Sequence, residues 1–242
     1  ILFKNLKLPI KVKRQKKFDF IRIKGGRSIK PLHYNIPSDI SSCAFFIVLT
    51  ALSNNSNLKI KNVNINTSRT GIIKILKLMG VSIEMKNKKI YKGEKVADLM
   101  VKSKDSIKPI NCPKSLNSAA IDEFLLIFLV AARADGISYF RNLSELNEKE
   151  SPRLLWGSKI LNKMGIKTKL TKNSIKIYGN PSLQIKKNII IKNFLKDHRV
   201  FMTSVIAALS FGGYWKIYNK DSINTSFPDF LKTLRIIGAK IN

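Results

Sequence analysis

Three segments of the chain end alike: "KILKLMGVSI", "KILNKMGIKT" and "KTLRIIGAKI" each run from an apolar residue to a glycine and then into alternating residues that read as a strand. Gly80, Gly165 and Gly238 suit the left-handed conformation that stops a helix. Upstream of each stands another apolar helix with an acid at its opening: Asp39 in "PSDISSCAFFIVLTAL", Asp122 in "IDEFLLIFLVAARA" and Asp197 in "KDHRVFMTSVIAAL". The acid-to-glycine intervals are 41, 43 and 41 residues, so the chain holds three copies of one unit. Each runs helix, turn, short strand ("NLKIKNV", "GISYFRNL", "GYWKIYN"), second helix, glycine, strand. The first helices are apolar nearly all round, the pattern of a helix enclosed on every side. No unit can bury such a helix alone, so the three must pack together with the sheets outside. A shared orientation gathers their N-termini, with their partial positive charge and free N–H groups, at one end, a place suited to phosphate or carboxylate.

Length and composition set the remaining bounds. A chain of 242 residues with 44% apolar content can bury a sizeable core. Its longest uncharged apolar run, Phe124 to Ala132, is too short for a bilayer, so a soluble protein without a membrane partner is expected. Cys43 and Cys112 lack paired CxxC spacing, which argues against a disulfide framework or a zinc site and fits a reducing cytoplasm. The opening "ILFKNLKLPIKVKRQ" has neither the apolar core nor the cleavage site of a signal peptide, and it starts with Ile, so the chain is expected to be cut from something longer. The formal charge of +30 would suit a nucleic-acid partner. However, lysines lie in nearly every segment, clustering only at "KVKRQKK" (11–17) and "KNKK" (86–89), and no RNP-like pattern, zinc-finger spacing or Walker loop occurs. Nucleic acid is therefore not the expected partner, although a basic polyanion-binding module stands as an alternative. A diffuse positive field still favours small anionic substrates.

Read locally, the charged strings are helix starts. "EKESPR" reads as an N-terminus with Ser151 as N-cap and Pro152 in the first turn, and "KDHR" as another capped start with two solvated bases. Asp122 alone is a carboxylate at the head of an apolar helix, and His33 a polar loop residue.

Seven strings, "IPSDISSCAFFIVLTAL", "NTSRTG", "GEKVADLMVKS", "IDEF", "EKESPR", "KDHR" and "NTSFPDFL", in this order and spacing, resemble the C-terminal half of the 5-enolpyruvylshikimate-3-phosphate synthases. The resemblance implies the α/β enolpyruvyl transferase fold, with repeated βαβαββ-type units, buried parallel helices and sheets outside. It places residues 1–36 at the end of a first domain and its crossover. Residues 37–242 would form a second domain of three repeats, about 37–105, 106–190 and 191–242. The implied reaction adds the 5-hydroxyl of shikimate 3-phosphate to C2 of phosphoenolpyruvate and then eliminates phosphate, without metal or organic cofactor. Asp122 would contact the shikimate hydroxyls and is a candidate base. Glu150 would be its partner in proton transfer at the pyruvyl carbon, with Lys149 stabilising that carboxylate. Arg153, Arg199 and His198 would hold the anionic groups of phosphoenolpyruvate, where a guanidinium fork matches either anion, and Glu145 belongs to the same substrate-binding set. The family's phosphate-binding residues nearer the N-terminus have no counterpart here, so the chain alone is expected to be inactive and the complete protein a monomer. Sister enzymes acting on a UDP-linked amino sugar share the fold but usually lack the "KES" and "DHR" strings, which puts them second. A degenerate copy that keeps the fold without activity is a third reading.

Several positions depart from the family pattern: Pro152 replaces the acid of "KESDR", Leu125 follows "IDEF" where proline is usual, and Ser38 stands in "PSD" for "PGD". "NTSRTG" replaces "NPTRTG", and Thr225 occupies a place where some members carry lysine.

Overall fold

The computed structural model describes residues 2–16, 18–26, 28–104 and 106–241, with only the backbone of Lys4. An N-terminal piece consists of α1 (Leu2–Asn5) and an antiparallel hairpin of β1 (Ile10–Arg14) and β2 (Asp19–Ile23). Three successive units follow.

The first unit contains α2 (Ile40–Leu52), β3 (Asn57–Asn64), α3 (Gly71–Leu78), β4 (Ser82–Tyr91) and β5 (Glu94–Lys102). Its strands form an antiparallel sheet of order β3-β5-β4. The second opens with a 3₁₀ turn, Lys114–Leu116, and the short α4 (Asn117–Ala120), then runs through α5 (Phe124–Arg133) and β6 (Ile137–Phe140). A 3₁₀ turn at Ser144–Glu148 leads to α6 (Arg153–Met164), β7 (Thr168–Leu170) and β8 (Ile175–Tyr178), and the sheet order β6-β8-β7 repeats the first. The third unit has β9 (Asn188–Ile191), α7 (His198–Phe211), β10 (Tyr214–Ile217) and α8 (Phe230–Ile236).

A parallel link recurs in every unit. In the third, β9 pairs with β10 across α7; in the first and second it shrinks to single bridges, Ser38 with Val63 and Asn111 with Tyr139. A strand, a helix and a parallel strand form one crossover, so each unit carries its first helix back over a sheet. The chain therefore has the expected mixed α/β architecture. Strand β9 straddles the expected division at 190/191, because its pairing with β10 makes it the opening strand of the third unit.

Helices α2, α5 and α7 form the centre. Ala44, Ile47 and Val48 of α2, Ile127, Phe128 and Val130 of α5, and Val200, Ile206 and Ala207 of α7 are each fully excluded from solvent. Phe45 meets Phe230 of α8 edge to face at 5.4 Å, and Phe128 meets Phe140 of β6 at 5.2 Å, so second helices and strands close around the bundle. The three helix-stopping glycines have φ of 90°, 95° and 100°, the left-handed geometry their sequence position predicts. Gly71 serves another purpose: a Cβ there would lie 2.6 Å from the Ala119 backbone, so only glycine lets α3 seat against α4 and bring the preceding loop to the head of α5. Among the described residues no helix is long and apolar enough to cross a membrane.

On the unit-one side, the tip of the β4–β5 hairpin grips the segment before α2. Tyr34 packs on Tyr91 at 5.3 Å, and the Asn35 N–H donates to the Tyr91 hydroxyl at 3.0 Å.

Candidate active site

The starts of the three central helices meet. Ser41 in the first turn of α2 donates through Oγ to Glu123 Oε1 at 2.6 Å, at the head of α5. Arg199 in the first turn of α7 donates through Nη1 to the Asp122 carbonyl at 2.8 Å. The convergence expected of a shared helix orientation is present, and the groups at its focus are carboxylates and guanidiniums.

Two of the three repeat acids act as caps. Asp39 accepts from the Ser42 N–H at 2.8 Å and Asp197 from the Arg199 N–H at 2.9 Å, each satisfying a donor that the helix leaves free. Asp122 does not cap. The cap position of α5 is Glu123, which makes no side-chain cap bond, so the Asp122 carboxylate is left to face outward.

Four cations surround Asp122. Arg69 Nη1 donates to its Oδ2 at 3.1 Å, and Arg199 Nη2 stands 3.9 Å from the same oxygen. Lys149 Nζ and Arg153 Nη1 each lie 3.6 Å from Oδ1. Half-burial acts to raise the Asp122 pKa, but the charges of Arg199, Lys149 and Arg69 outweigh it and hold the carboxyl below its usual range. It is therefore ionised at neutral pH.

Behind it lies a second, closed cluster. Asp197 is fully buried and accepts from Ser151 Oγ at 2.8 Å and from Arg153 Nε at 2.8 Å and Nη2 at 3.2 Å. Burial alone would raise its pKa, yet the Arg153 hydrogen bond and charge, with Ser151 and the Arg199 N–H, bring it below the usual value. Arg153, only 2% exposed, shares Nη2 between Asp197 and a short contact to Glu150, and its remaining nitrogen, Nη1, faces Asp122. The local reading of Ser151 as N-cap of α6 is corrected. The helix starts at Arg153 with Pro152 in the cap position and no side-chain cap bond, because the Ser151 hydroxyl is drawn to the buried Asp197 charge.

The expected site residues thus gather at different depths. Asp122, Lys149, Arg153 and Arg199 are in mutual reach. Glu150 joins through Arg153, and Glu145 through Lys149 at 3.3 Å. His198 is half-buried at the start of α7, and burial, followed by the Arg199 charge, lowers its pKa so that the ring is neutral at pH 7. Of the "KDHR" bases, His198 and Arg199 are therefore half-buried rather than solvated, the Arg199 side chain being only 13% exposed, while Lys196 stays exposed.

Five participants were missed by sequence reasoning: Arg69, Ser41, Glu123, Asp197 and Ser151. A signal existed for one of them. Glu123 is an acid at the edge of a wholly apolar helix that must be enclosed, so it demands partners. Arg69 reaches the site from 53 residues away, which no local spacing reveals.

Comparison with known proteins identifies the family and the fold. The family model described as EPSP synthase (3-phosphoshikimate 1-carboxyvinyltransferase) matches residues 2–234. The chain belongs to that family. Among its curated relatives, the 3-phosphoshikimate 1-carboxyvinyltransferase of Ruthia magnifica subsp. Calyptogena magnifica is 37% identical over 218 residues, covering 90% of this chain and 49% of the relative. The enzyme of the same name from Thermoanaerobacter sp. (strain X514) is 39% identical over 202 residues, covering 84% and 47%. The chain therefore spans about half the length of the curated relatives it matches. A solved EPSP synthase from Acinetobacter baumannii superposes with a TM-score of 0.87 at 33% identity, covering 99% of this chain and 54% of that one. The enolpyruvyl transferase NikO from Streptomyces tendae, at TM-score 0.75 and 17% identity, shares the fold. The repeat units described above are thus the EPSP synthase fold, and its central helix starts carry the charged cluster.

Proposed function

We propose that the complete protein is a 3-phosphoshikimate 1-carboxyvinyltransferase and that the Asp122 cluster is this chain's share of its active site. The observation carrying the reading is the ionised Asp122 ringed by Arg69, Lys149, Arg153 and Arg199 at the meeting point of three helix starts, in a chain of this family. Both proposed substrates are polyanions, and the cluster offers cations that already lean on one carboxylate.

In the reaction the 5-hydroxyl oxygen of shikimate 3-phosphate bonds to C2 of phosphoenolpyruvate as its proton passes to a base and the methylene carbon takes a proton from an acid. A proton then leaves the new methyl group, the carbon–carbon double bond re-forms, and the bond from C2 to the phosphate oxygen breaks to release inorganic phosphate. Asp122 is the group for the hydroxyl. Its low pKa keeps it charged but makes it a weak base in the free chain. Once phosphate and carboxylate groups draw Arg199 and Lys149 toward themselves, less positive charge remains on Asp122 and its basicity rises, so substrate binding itself would arm it. Glu150, half-exposed and tethered to Arg153, is placed to exchange the proton at the methylene carbon, and Lys149 links Asp122 to Glu145. Arg199 and neutral His198, both half-buried, are the groups for the phosphoenolpyruvate anions. Arg153 is enclosed in this form, so it orients Asp122 and Glu150 and would meet an anion only through its Nη1 edge, 3.6 Å from Asp122. Half of a two-part site lacks the closure that excludes water.

The test is phosphate release from shikimate 3-phosphate and phosphoenolpyruvate by the complete protein. Release that is lost in Glu150→Ala and Arg199→Ala supports the assignment; no release from a well-folded complete protein rejects it.

A further inference from the structure

Behind the reacting groups, Glu123 and Ser41 close a ring of contacts and have no part in the reaction as described. Glu123 lies directly behind Asp122 and is 2% exposed. Its Oε1 accepts from Ser41 Oγ at 2.6 Å and faces Arg199 Nη1 at 3.6 Å. The Ser41 oxygen in turn accepts from Arg69 Nη2 at 2.8 Å, while Arg69 Nη1 reaches forward to Asp122 Oδ2 at 3.1 Å. Arg199 likewise bridges back to front, from Glu123 to the carbonyl and carboxylate of Asp122. Each arginine is therefore held at two points: Arg69 on Ser41 and Asp122, Arg199 on Glu123 and Asp122.

We infer that Glu123 and Ser41 are a buried positioning pair that sets Arg69 and Arg199 on either side of Asp122, and that Arg69 belongs to the anion-binding face. This rests on the reading of the Asp122 cluster as the substrate site.

The chemistry of the pair favours this role over simple core filling. A carboxylate at the edge of an apolar helix is expensive to bury, and a methyl or amide side chain would pack there without the penalty. Burial, first, and the neighbouring Asp122 push the Glu123 pKa up, beyond what the Ser41 hydrogen bond and Arg199 offset. A group so placed destabilises the fold as it ionises, and what it offers in return is a fixed anchor for two guanidiniums. The ring also joins all three repeat units: Ser41 and Arg69 come from the first, Asp122 and Glu123 from the second, and Arg199 from the third. Shifting any one unit by a fraction of an ångström would change the spacing of the two arginines, so the ring ties the packing of the bundle to the geometry of the cleft.

Glu123→Gln tests this in the complete protein. The glutamine oxygen in the place of Oε1 can still accept from Ser41 and face Arg199, but it carries no charge, so the hold on Arg199 is weakened. The Michaelis constant for phosphoenolpyruvate should rise by about tenfold to a hundredfold, the range that follows misplacing a binding group by about an ångström. That for shikimate 3-phosphate should move less, and the melting temperature near neutrality should hold or rise, since the buried charge is removed. Ser41→Ala should raise the same constant by releasing Arg69, and Glu123→Asp, which keeps the charge, should recover part of the loss. Side-chain 15Nε relaxation of Arg69 and Arg199 in the same proteins gives a readout independent of turnover: both should become more mobile in Glu123→Gln. Unchanged arginine order overturns the pairing whether or not the protein turns over. A Glu123→Gln protein that loses stability and turnover together at unchanged Michaelis constants also overturns it, in favour of a purely structural role. If the wild-type protein releases no phosphate, the proposed function fails, while arginine relaxation still decides the pairing.

Discussion

Asp39 and Asp122 open equivalent helices in successive repeats, yet one caps its helix and the other does not. Asp39 stands immediately before α2, is exposed, and accepts from the Ser42 N–H. Asp122 stands one residue further out, since Glu123 takes the cap position of α5, and this offset turns its carboxylate away from the helix and into four cations. Asp197 shows a third outcome: it caps α7 as Asp39 caps α2, but it is sealed from solvent and holds Arg153 as well. One repeat therefore supplies a helix start three times, and what each acid does is set by a single residue of phase and by the cations brought to it.

The widest gap between these acids is exposed by removing Arg153. Arg153→Ala leaves Asp197 charged and sealed with only Ser151 and a backbone N–H, so stability should fall by about 3–5 kcal/mol, read by chemical denaturation. A loss below 1 kcal/mol would mean that Asp197 is no more committed than Asp39. Asp122→Asn should separate function from fold, lowering phosphate release by the complete protein by about 10²–10⁴-fold while the chain stays folded. Equal loss on Asp39→Asn would erase the distinction between cap and reacting group.

The pH dependence of stability sharpens the contrast within the cluster. Because the folded pKa of Asp197 lies below its unfolded value of about 3.9, its contribution is complete above that pH and is lost as pH falls through the folded pKa. The stability deficit of Asp197→Asn should then be largest near neutrality and shrink below about pH 4. Glu123 has the opposite sign: its folded pKa is raised, so stability declines as pH climbs from about 4.3, its unfolded value, through the folded pKa, and Glu123→Gln should remove that decline.

Smaller effects belong to the caps themselves. Asp39→Ala should cost about 1 kcal/mol, the usual loss of one N-cap hydrogen bond. Pro152→Asp would supply α6 with the cap it lacks, worth about 1 kcal/mol. Losing proline's restriction of the unfolded chain takes back about 0.4–1 kcal/mol, so the net gain should stay near zero in thermal denaturation.

Most of the architecture was legible because it is periodic. The left-handed glycines at 80, 165 and 238, the all-apolar helices α2, α5 and α7, and the caps at Asp39 and Asp197 follow from local patterns that the chain repeats. Lys149, Arg153 and Arg199 were reached through the resemblance of their strings to a known family, since read locally those strings are only helix starts. Reading Ser151 as a cap failed for a physical reason: a hydroxyl near a helix start has two possible uses, and the buried carboxylate that claims it lies 46 residues away. Arg69 lies in the string "NTSRTG", but nothing within that string says which charges it meets, and its partners Asp122 and Ser41 are remote in the chain.

By itself, then, the sequence determined the repeat, the enclosure of three helices and the gathering of their N-termini, all of which rest on backbone geometry and on burying apolar surface within a few turns of chain. Only the tertiary structure decided which charges meet there. Ion pairs among Arg69, Asp122, Glu123, Arg153, Asp197 and Arg199 depend on the side-by-side packing of three separate units, and electrostatic partners are chosen by distance in space, which side-chain spacing along the chain does not encode.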